Sequence, residues 1–282
     1  MSTSAWETIR LGELVEIKHG FAFKGEFFRD SPPGDVLLTP GNFAIGGGFK
    51  SDKLKYYNGP VPEEYVLLEG DLLVTMTDLS KSADTLGYPA LVPKPLYARF
   101  LHNQRLGLVT VRDQSRLDKK FLFCLMRTDD YRNEIMASAT GTTVKHTSPV
   151  RILNHQCRIP SIDKQHRIAD ILCSFDDKIE LNRRIAETLE VMARAFFQSW
   201  FVDFDPVRAK ADVRAQHPKW TNAQVSRAAL PTLELEMAEQ FPDAFQNSTL
   251  GKIPMGWQVA IVPAPRRLAR NWPSGSRIRL IR

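Results

Sequence analysis

Only three cysteines, Cys124, Cys157 and Cys173, occur in 282 residues. None stands in a CxxC or CxxH pair, so the spacing supports neither a zinc site nor a disulfide framework. Long hydrophobic runs are missing too. No stretch approaches the roughly 20 apolar residues of a membrane span, and the N-terminal MSTSAWETIR lacks the apolar core of a secretory signal. A cytoplasmic location is the expectation. The signatures of chemistry are equally scarce. There is no GxxxxGK[ST] phosphate loop and no Asn-Pro-Pro-aromatic methyltransferase motif, and the run Gly46-Gly47-Gly48 lacks GxGxxG spacing. That run reads as a turn. Asp118-x-Lys120 and Asp176-x-Lys178 match half of a metal-nuclease pattern, without an upstream acidic partner. His146 has no Cys or Ser partner at a readable spacing. These absences predict a non-catalytic chain that binds no cofactor or metal of its own.

Acidic residues are absent from 251–282, which carry Lys252, Arg266, Arg267, Arg270, Arg277, Arg279 and Arg282. The net charge is +6, so the other 250 residues sum to −1 (+6 less +7). Bulk basicity therefore does not argue for nucleic acid; local patches must.

What is present is a change of pattern along the chain. Residues 6–160 hold short apolar runs, Val36-Leu38, Tyr65-Leu68, Asp71-Thr75 and Leu106-Val111, separated by Gly- and Pro-rich turns. Leu117–Met136 has helical spacing, as one helix or two, and RILNHQCRIP, Arg151–Pro160, reads as a strand. A mixed α/β domain over 1–160 is expected. A helix then starts near Asp163. Ile168, Leu172, Phe175, Ile179, Asn182, Ala186, Leu189, Ala193, Phe196 and Trp200 alternate steps of four and three, a coiled-coil seam with one polar position. Docking of the seam on the preceding domain is the alternative. The helix region spans 161–205, with Pro206 expected to stop it. Residues 206–260 read as a linker with one shorter helical stretch, LPTLELEMAEQF, and the start of a second domain, since Gly256-Trp257-Gln258-Val259 echoes Ala5-Trp6-Glu7-Thr8-Ile9. After Ala260 the text holds six arginines, three prolines and no acids. That is the composition of a disordered tail over 261–282, and its abrupt onset favours an out-of-frame translation.

The run SFDDKIELNRRIAETLEVMARAFFQSWFVDFDPVRAK, Ser174–Lys210, resembles the central region of the specificity (S) subunit of type I restriction–modification systems. IPSIDKQHRIADIL, with Gln165, Ile168 and Ala169, is similar to the family's approach to that helix. WETIRLGELVEIKHGFAFKGEFF, GDLLVTMTDLS and GTTVKHTSP resemble parts of its target-recognition domain. FPDAFQNSTLGKIPMGW resembles the lead-in to a second such domain. The resemblance covers about 1–260, with SWFVDFDPVRAK its most specific piece. It implies a target-recognition domain followed by a coiled-coil-type helix. It also implies partners: double-stranded DNA, methyltransferase (M) subunits carrying S-adenosylmethionine chemistry, and a restriction (R) subunit using ATP and Mg. A complete member has two recognition domains and two long helices that pair antiparallel; here there is one of each. The seam Ile168, Leu172, Phe175, Ile179, Asn182, Leu189, Phe196 and Trp200 is then expected to pair with a second copy or with M subunits. A helical scaffold, or a non-functional fragment of a longer S subunit, is the alternative.

DNA readout needs loop side chains that reach base edges and donors for phosphates. The loop with Thr142, Thr143, Lys145, His146, Thr147 and Ser148 fits this, with an ordinary surface loop as the alternative. Thr75, Thr77 and Lys81 form a second candidate at a strand exit, where the polar run equally suits a helix cap. Lys18, Phe23 and Lys24 form a third, with aromatic residues that equally suit a core.

Overall fold

The computed structural model describes residues 6–261 and 278–281, apart from 79, 81, 96 and 143. Lys81 and Thr143 therefore lie outside the described residues. The chain divides into two compact units, Met1–Ile179 and Glu180–Arg282.

In the first unit the order is β1 (Glu7–Arg10), α1 (Leu11–Leu14), β2 (Val15–His19), β3 (Phe28–Arg29), β4 (Asp35–Leu38), β5 (Lys55–Tyr57), β6 (Val66–Leu67), β7 (Leu72–Thr75), β8 (Thr77–Asp78), β9 (Pro89–Leu91), β10 (Phe100–His102) and β11 (Leu106–Val111). There follow α2 (Lys119–Leu125), α3 (Asp129–Ser138), β12 (Lys145–His146), α4 (Pro149–Leu153), β13 (Gln156–Ile159) and α5 (Ile162–Phe197).

Two sheets carry this unit, ordered β2-β11-β7-β9 and β3-β5-β4-β10-β6. The expected runs become β4, β7 and β11, with a shorter β6. Leu72, Leu73 and Val74 are all buried, so β7 is covered on both faces. One hydrophobic core joins β7 and β11 to α2, α3 and α4 through Leu122, Tyr131, Ile135 and Ile152. The helical stretch after Leu117 splits in two. The Asp118 side chain caps α2 by accepting from Phe121 N at 2.7 Å, and Thr128 caps α3. The expected strand over Arg151–Pro160 is corrected in its first half. Ser148 accepts from Arg151 N and Pro149 sits in the first turn, so α4 forms before β13 begins. β13 then pairs with β1, closing the unit onto its own N-terminal strand.

α5 runs for 36 residues and passes into a π-type turn over Gln198–Val202. Its first turns belong to the first unit. Gln165 is fully buried there: its Oε1 accepts from Asp118 N (2.9 Å) and its Nε2 donates to the carbonyls of Arg116 (2.8 Å) and Pro160 (2.9 Å).

The second unit adds α6 (Asp205–Gln216), α7 (Asn222–Ala229), α8 (Leu235–Gln240), β14 (Phe245–Ser248), β15 (Gly251–Pro254), β16 (Gln258–Ile261) and β17 (Ile278–Ile281). Here Pro206 plays the opposite part to the one expected. It lies in the first turn of α6, and the break is Phe204, held at φ 56. Residues 206–257 are no bare linker. Phe204, Val207, Phe241, Ile253 and Trp257 form a core, and the buried Lys210 donates to Asn222 Oδ1 (2.8 Å) and to the carbonyls of Ala238 (3.0 Å) and Phe241 (2.5 Å). Burial lowers the Lys210 pKa, while Asp243 and Glu239 oppose that. Most of the predicted tail, 262–277 and 282, lies outside the described residues. Ile278–Ile281 departs from the expected disorder, because its backbone pairs antiparallel with Gln258–Ile261.

Candidate nucleic-acid interface

Two of the three candidate segments meet. β8 pairs antiparallel with β12, placing Lys145 opposite Asp78 and His146 opposite Thr77. Thr77 Oγ1 lies 3.2 Å from His146 Nδ1. The loop before β12 closes on itself through Thr140 N to His146 O (3.0 Å) and His146 N to Thr140 O (2.8 Å). Gly141 permits this: it sits at φ +97, and a Cβ there would lie 2.0 Å from the Val144 carbonyl. Thr142 and His146 are exposed and Lys145 is half-buried. Among the described residues, no hydrogen bond or ion pair engages the Lys145 ammonium.

Other members of the candidate set are structural. Thr75 is completely buried, its hydroxyl donating to the Thr85 carbonyl. Thr147 is buried as well, and its amide donates to Met76 O at 3.0 Å. Ser148 is spent on capping α4. In the third segment Phe23 is a core residue, 4.8 Å from the Tyr57 ring, which rules it out as a stacking platform. Lys18 pairs with Glu64 (2.9 Å) and covers the Tyr65 ring (4.4 Å), whereas Lys24 is exposed. The sheet register still brings this segment near the other two. Gly107 of β11 pairs with His19 on one side, and Leu106 pairs with Thr75 on the other. The two flanking strand ends are thus about 10 Å apart at one end of the sheet.

The described residues after β8, Ser80 and 82–88, are held from both sides. Asp78 Oδ1 accepts from Ser80 N (2.6 Å), and Oδ2 accepts from Thr85 N (2.6 Å) and Thr85 Oγ1 (2.7 Å). Burial alone would raise the Asp78 pKa; the hydrogen bonds from Ser80 and Thr85 together outweigh it and hold the carboxyl below its ordinary value. Arg132 of α3 donates to the carbonyls of Ala83 and Leu86 and lies 4.5 Å over the Tyr88 ring. The described surface is therefore a short ladder bearing the Lys145 ammonium and the His146 imidazole, with the Thr142 hydroxyl close by in sequence, beside residues 82–88, which Asp78 and Arg132 tie down. Such donors suit phosphates and base edges. Among the described residues no cluster of His, Cys, Asp and Glu could hold a metal ion.

The profile described as the type I restriction modification DNA specificity domain matches residues 3–191. The chain belongs to this family. It is 46% identical over 95 residues to the type I restriction enzyme HindI specificity subunit of Haemophilus influenzae, covering 33% of this chain and 20% of that protein. It is 25% identical over 195 residues to the EcoBI specificity subunit of Escherichia coli, covering 69% and 37%. The chain thus spans 20% to 37% of the length of these two relatives. The crystal structure of a type I restriction–modification S subunit from M. genitalium shares the fold, with a TM-score of 0.57 at 17% identity over 79% of this chain and 54% of that one.

In this specificity domain the seam on α5 divides. Ile168 packs against the core of the first unit, a correction to its place in the seam. Trp200 is corrected too: it falls in the π-type turn and packs on Phe241 at 5.4 Å. Between them Leu172, Phe175, Ile179, Asn182, Leu189 and Phe196 are exposed, with Ile179 at 66%. Leu181, Ile185 and Met192 are exposed alongside, so the apolar band is wider than the predicted seam. Sequence reasoning gave Asp78, Arg132 and Gln165 no structural role of their own, although Asp78 and Gln165 fall in segments that carry the resemblance. Asp78-x-Ser80 is the spacing of a side chain that accepts from the backbone two residues on, which could have marked the first. The partners of Arg132 lie 46 and 49 residues away, and those of Gln165 lie 47 and 49 away apart from Pro160, five residues back.

Proposed function

We propose that this chain recognises DNA sequence as the specificity component of a type I restriction–modification complex, directing M and R subunits to one half-site. The observation that carries this is the β8–β12 ladder. It gathers two separate polar loops into one surface inside the segment matched by the family profile. The chain is non-catalytic in this reading: methylation and cleavage, with S-adenosylmethionine, ATP and Mg, belong to the partner subunits. The exposed apolar band of α5 supports helix pairing with a second copy or with M subunits. An antiparallel pair of copies would present two identical recognition domains and so read a split palindrome.

The test is the variant Lys145→Ala with His146→Ala, measured for binding to a mixed-sequence DNA duplex at low salt. Affinity is expected to fall on the order of tenfold, as for the loss of contacts of about 1–3 kcal/mol, with the melting temperature unchanged. Unchanged affinity would overturn the assignment of this surface.

A further inference from the structure

The triple glycine had no role in the sequence beyond a turn, and Arg127 had none at all. The structure joins them. Gly46, Gly47 and Gly48 all have positive φ, at +88, +89 and +100. The turn is pinned to β9 by Gly48 N donating to Pro89 O at 2.8 Å. Arg127, just past the end of α2, lies against it. Its Nε donates to the Gly46 carbonyl at 2.8 Å, and a Cβ on Gly47 would come within 2.8 Å of the Arg127 side chain. The same guanidinium grips Asp176 of α5 with both terminal nitrogens, one at 3.1 Å and one closer, and lies 4.9 Å from the Phe123 ring. Asp176 raises the Arg127 pKa, so this cation is permanent.

α5 is held to the recognition unit along its first turns, by buried Gln165, by Ile168 and Ala169 against the core, and by Cys173, whose thiol contacts Cys124. Asp176 is the last of these ties, roughly 16 Å beyond Gln165 at about 1.5 Å rise per residue. Beyond it Ile179 is exposed, so the Arg127–Asp176 pair fixes the point at which the helix leaves the recognition unit. A movement of a few ångströms there is comparable with the rise of one base pair, about 3.4 Å.

We infer that Arg127, seated in the Gly46–Gly48 turn and paired with Asp176, is a positioning residue that sets the angle of the recognition domain on its long helix and so the spacing between the half-sites read. The inference rests on the DNA-recognition reading. It is tested by co-expressing the full chain, as wild type, Arg127→Ala or Asp176→Ala, with its M subunit and mapping adenine methylation by single-molecule sequencing. The latch predicts that both variants keep the bases of each half-site. Methylation at the wild-type spacing falls at least threefold, and sites with spacers one base pair longer or shorter become methylated. Should Arg127→Ala fail to fold, Asp176→Ala, whose side chain is partly exposed, carries the test. Methylation confined to the wild-type spacing, at whatever level, overturns the inference, as does complete loss of methylation by a folded Asp176→Ala protein. A wild-type chain that directs no methylation contradicts the DNA-recognition reading instead.

Discussion

Burial of His102 gives the recognition unit a pH dependence of known sign. The imidazole is 1% exposed, and Nε2 lies 2.9 Å from the Leu106 carbonyl. Burial, aided by Lys18 and His19, pushes its pKa down to about 4, against the Leu106 contact. The unfolded residue titrates near 6.5. Between those values the unfolded chain binds more protons. The stability from neutral His102 is therefore complete above about pH 6.5 and is lost as pH falls towards 4. The full loss is about 3 kcal/mol. Denaturant unfolding from pH 7 to 4 should show this decline, and His102→Leu should flatten it; an unflattened profile would place the effect elsewhere. Asp78 is the other buried ionisable group that matters. Asp78→Ala leaves the amides of Ser80 and Thr85 without their acceptor, at a cost of about 1–3 kcal/mol. Hydrogen exchange should report faster opening of residues 82–88, and exchange as slow as in the wild type would deny Asp78 its role.

α5 serves two environments. Its first turns are part of a core, through Gln165, Ile168 and Ala169. Beyond Leu172 its apolar positions face solvent within the single chain. Ile179→Asp should therefore leave unfolding of the recognition unit within about 0.5 kcal/mol of wild type. It should also reduce self-association or M-subunit binding in sedimentation velocity; association undiminished by the substitution would show that the band is not the pairing face. The seam period was legible in the sequence because a heptad repeat is local. Its two ends were not. Ile168 is claimed by the core of the first unit, and Trp200, in the π-type turn, is claimed by Phe241, 41 residues on. The same distinction explains the candidate site. Lys145 and His146 were readable as polar loop residues, but Thr75, Thr77 and Phe23, singled out by the same kind of cue, lie inside. Which of them is exposed depends on strand pairing between segments about 30 to 90 residues apart. Pro206 shows the same limit at shorter range: it ends one helix or opens the next, and the left-handed Phe204 decides which.

For the molecule as a whole, the net positive charge sits in 251–282, which carry +7 against −1 for the other 250 residues, away from the β8–β12 surface in sequence. Specific binding through that surface should therefore depend on a few cations such as Lys145 rather than on overall basicity. Family membership is carried by residues 3–191, which include all of that surface and much of α5. The central claim is that this surface reads DNA for a methyltransferase that the chain recruits. The most direct measurement is a genome-wide map of adenine methylation in cells expressing this 282-residue chain with its M subunit. The account predicts methylation at one split, palindromic motif, abolished or strongly reduced by Lys145→Ala with His146→Ala. No methylation in the presence of soluble M subunit, or a motif indifferent to that double substitution, would contradict it.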